Sequence, residues 1–201
     1  MKIGPKYKIA RRLGTGIFEK TQTQKYALRE ARRKIKRSGP KSDYGLQLLE
    51  KQKARFSYGV NERQFSKYVK EAVAKKNMNS VDLLYKKLES RLDNVVYRIG
   101  FAPTRLAARQ MVSHGHILVN AKKVTIPSYT VLLNDKVSIR EGSKKSALFT
   151  SLSERIKERT MPTWINLNHD SKEAEIQGSP KLGPQDASFD LSAVVEFYSR
   201  S

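Results

Sequence analysis

Apolar positions recur at three- and four-residue spacing through the first half of the chain, and then give way to short alternating runs. Asp43 is placed to cap a helix written "YGLQLLEKQKARFSYG", with Leu46, Leu49 and Lys53/Phe56 along one stripe. Asn61 is placed to cap "ERQFSKYVKEAVAKKN", whose Phe65, Tyr68, Val69, Ala72 and Val73 share a face. Ser80 is placed to cap "VDLLYKKLESRLDNVVYRIG". There the stripe runs through Leu83, Leu84 and Leu88, then Leu92, Val95, Val96 and Ile99. Its rotation near Ser90 predicts two helices in series, ended by Gly100. Thr104 caps a further helix with Leu106, Ala107, Met111 and Val112 inward, and Gly115 stops it. "HILVNAKKVTI" then reads as strand, turn at Asn120-Ala121, strand; "SYTVLL" and "KVSIRE" read as two more strands about a turn at Asn134-Asp135. A short helix is predicted within 145–158, strands or loops at "MPTWINLN" and "AEIQG", and a closing helix with Leu191, Val194, Val195 and Tyr198 inward. Ahead of all this, residues 1–21 look extended, and a thinly apolar basic helix (Tyr26, Ala27, Ala31, Ile35) is predicted from Thr23 to Ser38, ended by Ser38-Gly39-Pro40.

Charge sharpens this outline. The 201 residues include 40 Lys+Arg against 19 Asp+Glu, a net +21. Residues 1–60 carry net +13, 61–100 carry +4, 101–150 carry +6 and 151–201 carry −2. Such self-repulsion calls for a polyanion, laid against the first three-quarters of the chain. Cysteine is absent, which excludes disulfides, thiolate metal sites and a thiol nucleophile. No apolar run approaches the roughly 20 residues of a membrane span, and no membrane partner is expected. The N-terminus lacks a secretory apolar segment, so a cytoplasmic or organelle-internal protein is expected.

Candidate chemistry concentrates at His114-Gly115-His116. A metal pair there would need further ligands, and no Asp, Glu or Cys lies nearby. Ser113 and His114 are neighbours on a helix and point different ways, so they do not form a catalytic dyad. Gly14-Thr15-Gly16 is a lone Gly-x-Gly with no strand before it. Asp93 is a single carboxylate and reads as an ion-pair partner of Arg91 or Arg98. No catalytic residue, metal ligand or cofactor is therefore expected, and the chain is not expected to be an enzyme. The basic residues are different. Residues 101–150 hold eight bases and two acids, too few for mutual pairing. Arg105 and Arg109, at i and i+4, share a helix face beside Lys122 and Lys123, a shape able to follow RNA phosphates.

The stretch "LESRLDNVVYRIGFAPTRLAARQMVSHGHILVNAKKVTIPSYTV" resembles the S-four-type RNA-binding module, which also occurs in pseudouridine synthases and tyrosyl-tRNA synthetases. The flanks "PKSDYGLQLLEKQKARFSYGVNERQF" and "VVEFYSR" make the whole chain similar to the small-subunit ribosomal protein S-four family, in its zinc-free form. The rival readings are an RNA-modifying enzyme or synthetase fragment, which the rest of the chain supplies with no catalytic groups, and a stand-alone RNA binder. The resemblance implies an α+β fold: a basic arm at 1–41, a helical domain from 42–90 plus 161–201, and an inserted helix-plus-antiparallel-sheet RNA-binding domain at 91–160. It implies a primary rRNA-binding protein that binds a junction in the 5′ region of small-subunit rRNA, nucleates assembly and lies near the mRNA entrance. Its implied partners are that rRNA, mRNA, and neighbouring ribosomal proteins including the one numbered five. RNA contacts are implied at Lys6, Lys8, Arg11 and Arg12 in the arm, and at Lys51, Lys53 and Arg55 in the helix after "SDYG". In the module they are implied at Arg91, Arg98, Thr104, Arg105, Arg109, His114, Gly115, His116, Asn120 and Lys122. Two departures stand out: the family's frequent N-terminal cysteine set is missing, and Ala121 replaces a glycine frequent in the hairpin turn, which alters that turn.

Overall fold

The computed structural model describes residues 3–32, 39, 41–75, 77–183 and 189–200. The chain divides into two compact units, one made of Met1–Leu84 with Leu182–Ser201 and the other of Tyr85–Lys181.

The first unit begins with helix α1 (Lys6–Leu13), two single 3₁₀ turns and α2 (Gln24–Ala31). The expected extended start is therefore helical. Ala10 and Leu13 are its only fully buried side chains, a stripe too thin to read in a run of bases. The second half of the basic helix expected at 23–38, and its Ser38-Gly39-Pro40 stop, fall largely outside the described residues. Helix α3 (Asp43–Tyr58) is capped by Ser42, whose hydroxyl accepts from the Gly45 amide, and Asp43 is its first residue. Its buried stripe is Gln47, Lys51, Ala54 and Tyr58, and Leu46 is exposed. The helix is thus rotated from the apolar reading because two polar residues find partners inside: Gln47 donates to Glu196 at 2.9 Å and Lys51 to Glu62 at 2.8 Å.

Asn61 caps α4 (Glu62–Val73) as expected, with Phe65, Val69 and Ala72 buried and Val73 turned to solvent. The closing helix, α9 (Leu191–Ser199), packs on α3 and α4 through Leu191, Val194 and Phe197. Tyr198, expected in the core, lies half-buried and donates to Glu62 at 2.6 Å. Burial alone would raise the Glu62 carboxyl. The hydrogen bonds from Lys51 and Tyr198 and the charges of Lys51 and Arg55 outweigh that and hold it below its ordinary value. Burial and the same hydrogen bond push the Tyr198 phenol upward.

The division between units falls inside α5 (Ser80–Glu89), which Asn79 caps in place of Ser80 by accepting from the Val81 amide. As the rotating stripe predicts, a second helix, α6 (Leu92–Ile99), follows after a break at Ser90-Arg91. Arg91 there makes a β-bridge to Thr130. Helix α7 (Arg105–Ser113) packs on α6. The sheet has five antiparallel strands in the order β2-β1-β3-β5-β4: β1 (Ile117–Val119), β2 (Lys122–Lys123), β3 (Lys136–Ile139), β4 (Ile165–Asn168) and β5 (Glu173–Ile176). Ile117, Val119, Val137, Ile139, Ile165, Leu167, Ala174 and Ile176 line one face and close a core with Leu92, Val95, Val96, Ile99, Met111 and Val112.

Four expectations change in this unit. "SYTVLL" is a loop with one bridge at Thr130, and its Leu132 and Leu133 are exposed. The Asp135 carboxylate accepts from the Leu132 amide at 2.8 Å, so the loop closes as a turn instead of extending. Leu106 and Ala107 are only half-buried, and Ala108 takes the inward place. Residues 161–181, expected with the helical domain, belong here because β5 pairs with β3 and β4 with β5. The predicted helix at 145–158 shortens to α8 (Leu152–Glu158) after two 3₁₀ turns.

Candidate nucleic-acid interface

The break between α5 and α6 places two buried carboxylates side by side in sequence space, Glu89 on the last turn of one helix and Asp93 on the first turn of the next. The Asp93 backbone amide donates to Pro127 and the Leu92 amide to Tyr129, which pins the 127–131 loop over the start of α6. Neither acid is left without a cation. Arg91 donates to both Asp93 oxygens, at 3.0 and 2.8 Å. Arg109 donates to Asp93 Oδ2 from Nε and Nη2, at 2.9 and 2.7 Å. Arg98 forks onto Glu89 with two bonds of 2.8 Å. Asn94 links the sets: its amide donates to Glu89 Oε2 at 2.8 Å, and its carbonyl oxygen accepts from Arg105 Nε at 2.7 Å. The Arg105 and Arg159 guanidinium groups both lie over the Tyr97 ring, 4.5 and 3.9 Å from its centre.

The four arginines of the module expected to contact RNA, Arg91, Arg98, Arg105 and Arg109, all join this one network. The structure separates their roles. Arg91 is 4% exposed and buried in its pairing with Asp93, so it supports the surface instead of forming it. The side chains of Arg98 and Arg109 are each 21% exposed, so both reach the surface in part.

Thr104 serves as the α7 cap, accepting from the Ala107 amide at 3.1 Å. At the far end of α7, Gly115 takes φ 73° and turns the chain into β1. The two histidine rings lie 6.0 Å apart there, tilted by 59°, in different surroundings. His114 is exposed, while His116 Nδ1 lies 2.9 Å from the buried Ser143 hydroxyl. Among the described residues, no three His, Asp or Glu side chains gather as a metal would need. Asn120 has its side chain committed to the fold: it donates to Asp135 at 2.7 Å and accepts from the Lys136 amide at 2.9 Å. Lys122 is exposed on the edge strand β2. Its neighbour Lys123, grouped with it in the basic cluster read from sequence, lays its aliphatic stem over Gly115.

In the first unit, Lys8 and Arg12 are exposed on α1, Lys6 lies over the Phe18 ring at 5.8 Å, and Arg11 pairs with Glu30 at 2.9 Å. Lys51 is a correction. It is 7% exposed, held by Glu62 and set 4.5 Å from the Phe197 ring centre, and so braces α9. Lys53 pairs with Glu50, and Arg55 with Glu62 at 3.4 Å. The signals that sequence reading missed are long-range. Arg159 reaches the backbone carbonyls of Tyr97 and Pro103 across 62 and 56 residues, and no local pattern announces that.

A family model described as "S4 domain" matches residues 90–137, and one described as "Ribosomal protein S4/S9 N-terminal domain" matches residues 1–89. The small ribosomal subunit protein uS4 of Chromobacterium violaceum is 44% identical over 98% of both chains. This chain belongs to the uS4 family. The uS4 proteins of Roseiflexus castenholzii and Acinetobacter baumannii, at 44% and 42% identity, likewise cover 98% of both chains. The S4-domain match spans the α6–α7–β1–β2 region, where the arginine network and the α7–β1 corner lie. The α+β fold thus agrees with what the uS4 resemblance implies.

Proposed function

We propose that this chain is a structural, non-enzymatic constituent of the small ribosomal subunit that works by binding small-subunit rRNA. The observation that carries this reading is the correspondence over 98% of the chain to uS4 proteins, across both units. The reading places the protein in the ribosome, in the cytoplasm. At a finer level, we assign its RNA target as a junction in the 5′ region of the small-subunit rRNA, bound early so that it nucleates assembly. Contacts with the ribosomal protein numbered five and with mRNA at the entrance belong to the same proposal. The contact residues are Arg98, Arg105, Arg109, His114, Lys122 and Lys123 in the second unit, with Lys8 and Arg12 on α1. Arg91 and Lys51 act behind the surface. Phosphate neutralisation supplies affinity, and the fixed arrangement of guanidinium groups reads RNA shape.

The test is binding to the folded 5′ region of small-subunit rRNA against a plain duplex of equal length, over a salt series. Preference for the junction that persists at high salt supports the reading. Equal binding to both that vanishes with salt leaves only a generic basic protein and sinks it.

A further inference from the structure

A carboxylate among cations opposes the approach of a polyanion, yet Asp93, 3% exposed, is paired with both Arg91 and the partly exposed Arg109. Both oxygens are used, and the acceptor of Arg109 is shared with Arg91. Arg91 is buried with it, so the pair forms a fixed internal post. Arg109, one helix away and 16 residues on, is the partner whose side chain reaches the surface. Its planar fork is therefore held in one orientation before any ligand arrives. Glu89, 0% exposed, does the same for Arg98, and Asn94 passes the arrangement on to Arg105.

Building on the RNA-binding reading, we infer that Asp93 is a positioning residue of the interface, acting through Arg109, so that neutralising it weakens RNA binding although it makes the protein more positive. A charge-only account requires the opposite sign. Removing a negative charge from a +21 protein should strengthen binding to RNA. The two accounts separate because ordering a guanidinium beforehand spares binding the entropy of ordering it.

The experiment measures affinity for the folded 5′ fragment of small-subunit rRNA, with thermal unfolding to confirm that each variant is folded. Asp93→Asn, Arg109→Ala, the double variant and Arg109→Lys are compared with wild type. Asp93→Asn should bind about tenfold more weakly, and should add no further loss in the Arg109→Ala background. Binding of Asp93→Asn at or above wild-type strength overturns the inference. So does an equal loss with and without Arg109, which would mark a purely structural effect. Should Asp93→Asn fail to fold, Arg109→Lys decides: it keeps the charge but lacks the fork that Asp93 holds. Weaker binding by Arg109→Lys supports the inference, and unchanged binding overturns it. Absence of binding by wild type would instead sink the RNA-binding reading itself.

Discussion

Replacing Ala121 with glycine should stabilise the protein. Asn120 and Ala121 join β1 to β2 with φ 50° and 63°, the positive pair of a type I′ hairpin turn. An L residue in the left-handed region costs roughly 1–2 kcal/mol. Glycine removes that strain but loosens the unfolded chain, which takes back roughly 0.5–1 kcal/mol. Ala121 is exposed, so no packing is lost. The net gain is about 0.5–1 kcal/mol, or a rise of roughly 1–4 °C in Tm for a chain of this size. Asn120→Gly relieves the same kind of strain yet should move the other way. It deletes the bonds to Asp135 and from the Lys136 amide, each worth about 1 kcal/mol. Thermal unfolding of the two variants followed by circular dichroism checks both signs. A Tm for Ala121→Gly below wild type would refute the argument, since it would show that the alanine is not strained in this turn.

Other outcomes are equally concrete. The Glu62 carboxyl titrates below its ordinary value near 4.5, so its contribution is present above that value and is lost as pH falls through the depressed one. Urea midpoints across that acid range should fall for wild type and flatten for Glu62→Gln; parallel curves would contradict the assignment. Gly115→Ala should destabilise by roughly 1–2 kcal/mol, because φ is +73° and the new Cβ would collide with the Lys123 stem; an unchanged unfolding midpoint would refute it. Arg105→Ala with Arg109→Ala should weaken junction binding and lower the salt slope by roughly 0.7–0.9 for each phosphate contact removed. Unchanged affinity would exclude α7 from the interface.

Much of this fold is legible in the sequence because it is local. The Asn61 and Thr104 caps, the break near Ser90, the Gly115 corner and the Asn120-Ala121 turn each depend on residues a few positions apart. What escaped depends on distant partners. Helix α3 buries Gln47 and Lys51 because Glu196 and Glu62 meet them there, and hydrophobic spacing cannot foresee an internal ion pair. The "SYTVLL" run alternates like a strand, but the Asp135 carboxylate closes it into a turn. For the site, residue type identified the cationic positions. Only the geometry separated Arg91 and Lys51, buried in ion pairs, from the bases that face outward.

The first unit is sewn together from both ends of the chain. Glu196 and Tyr198 of α9 bond Gln47 and Glu62, and the Asp190 amide donates to Glu50, 140 residues earlier. During synthesis, then, the order of completion runs against the order of translation. Every strand and helix of the 85–181 unit has been made before α9 exists. The earlier-made helices α3 and α4 must wait for α9 before they acquire their missing wall. A chain halted at residue 181 would carry a finished arginine network and sheet beside an incomplete helical core.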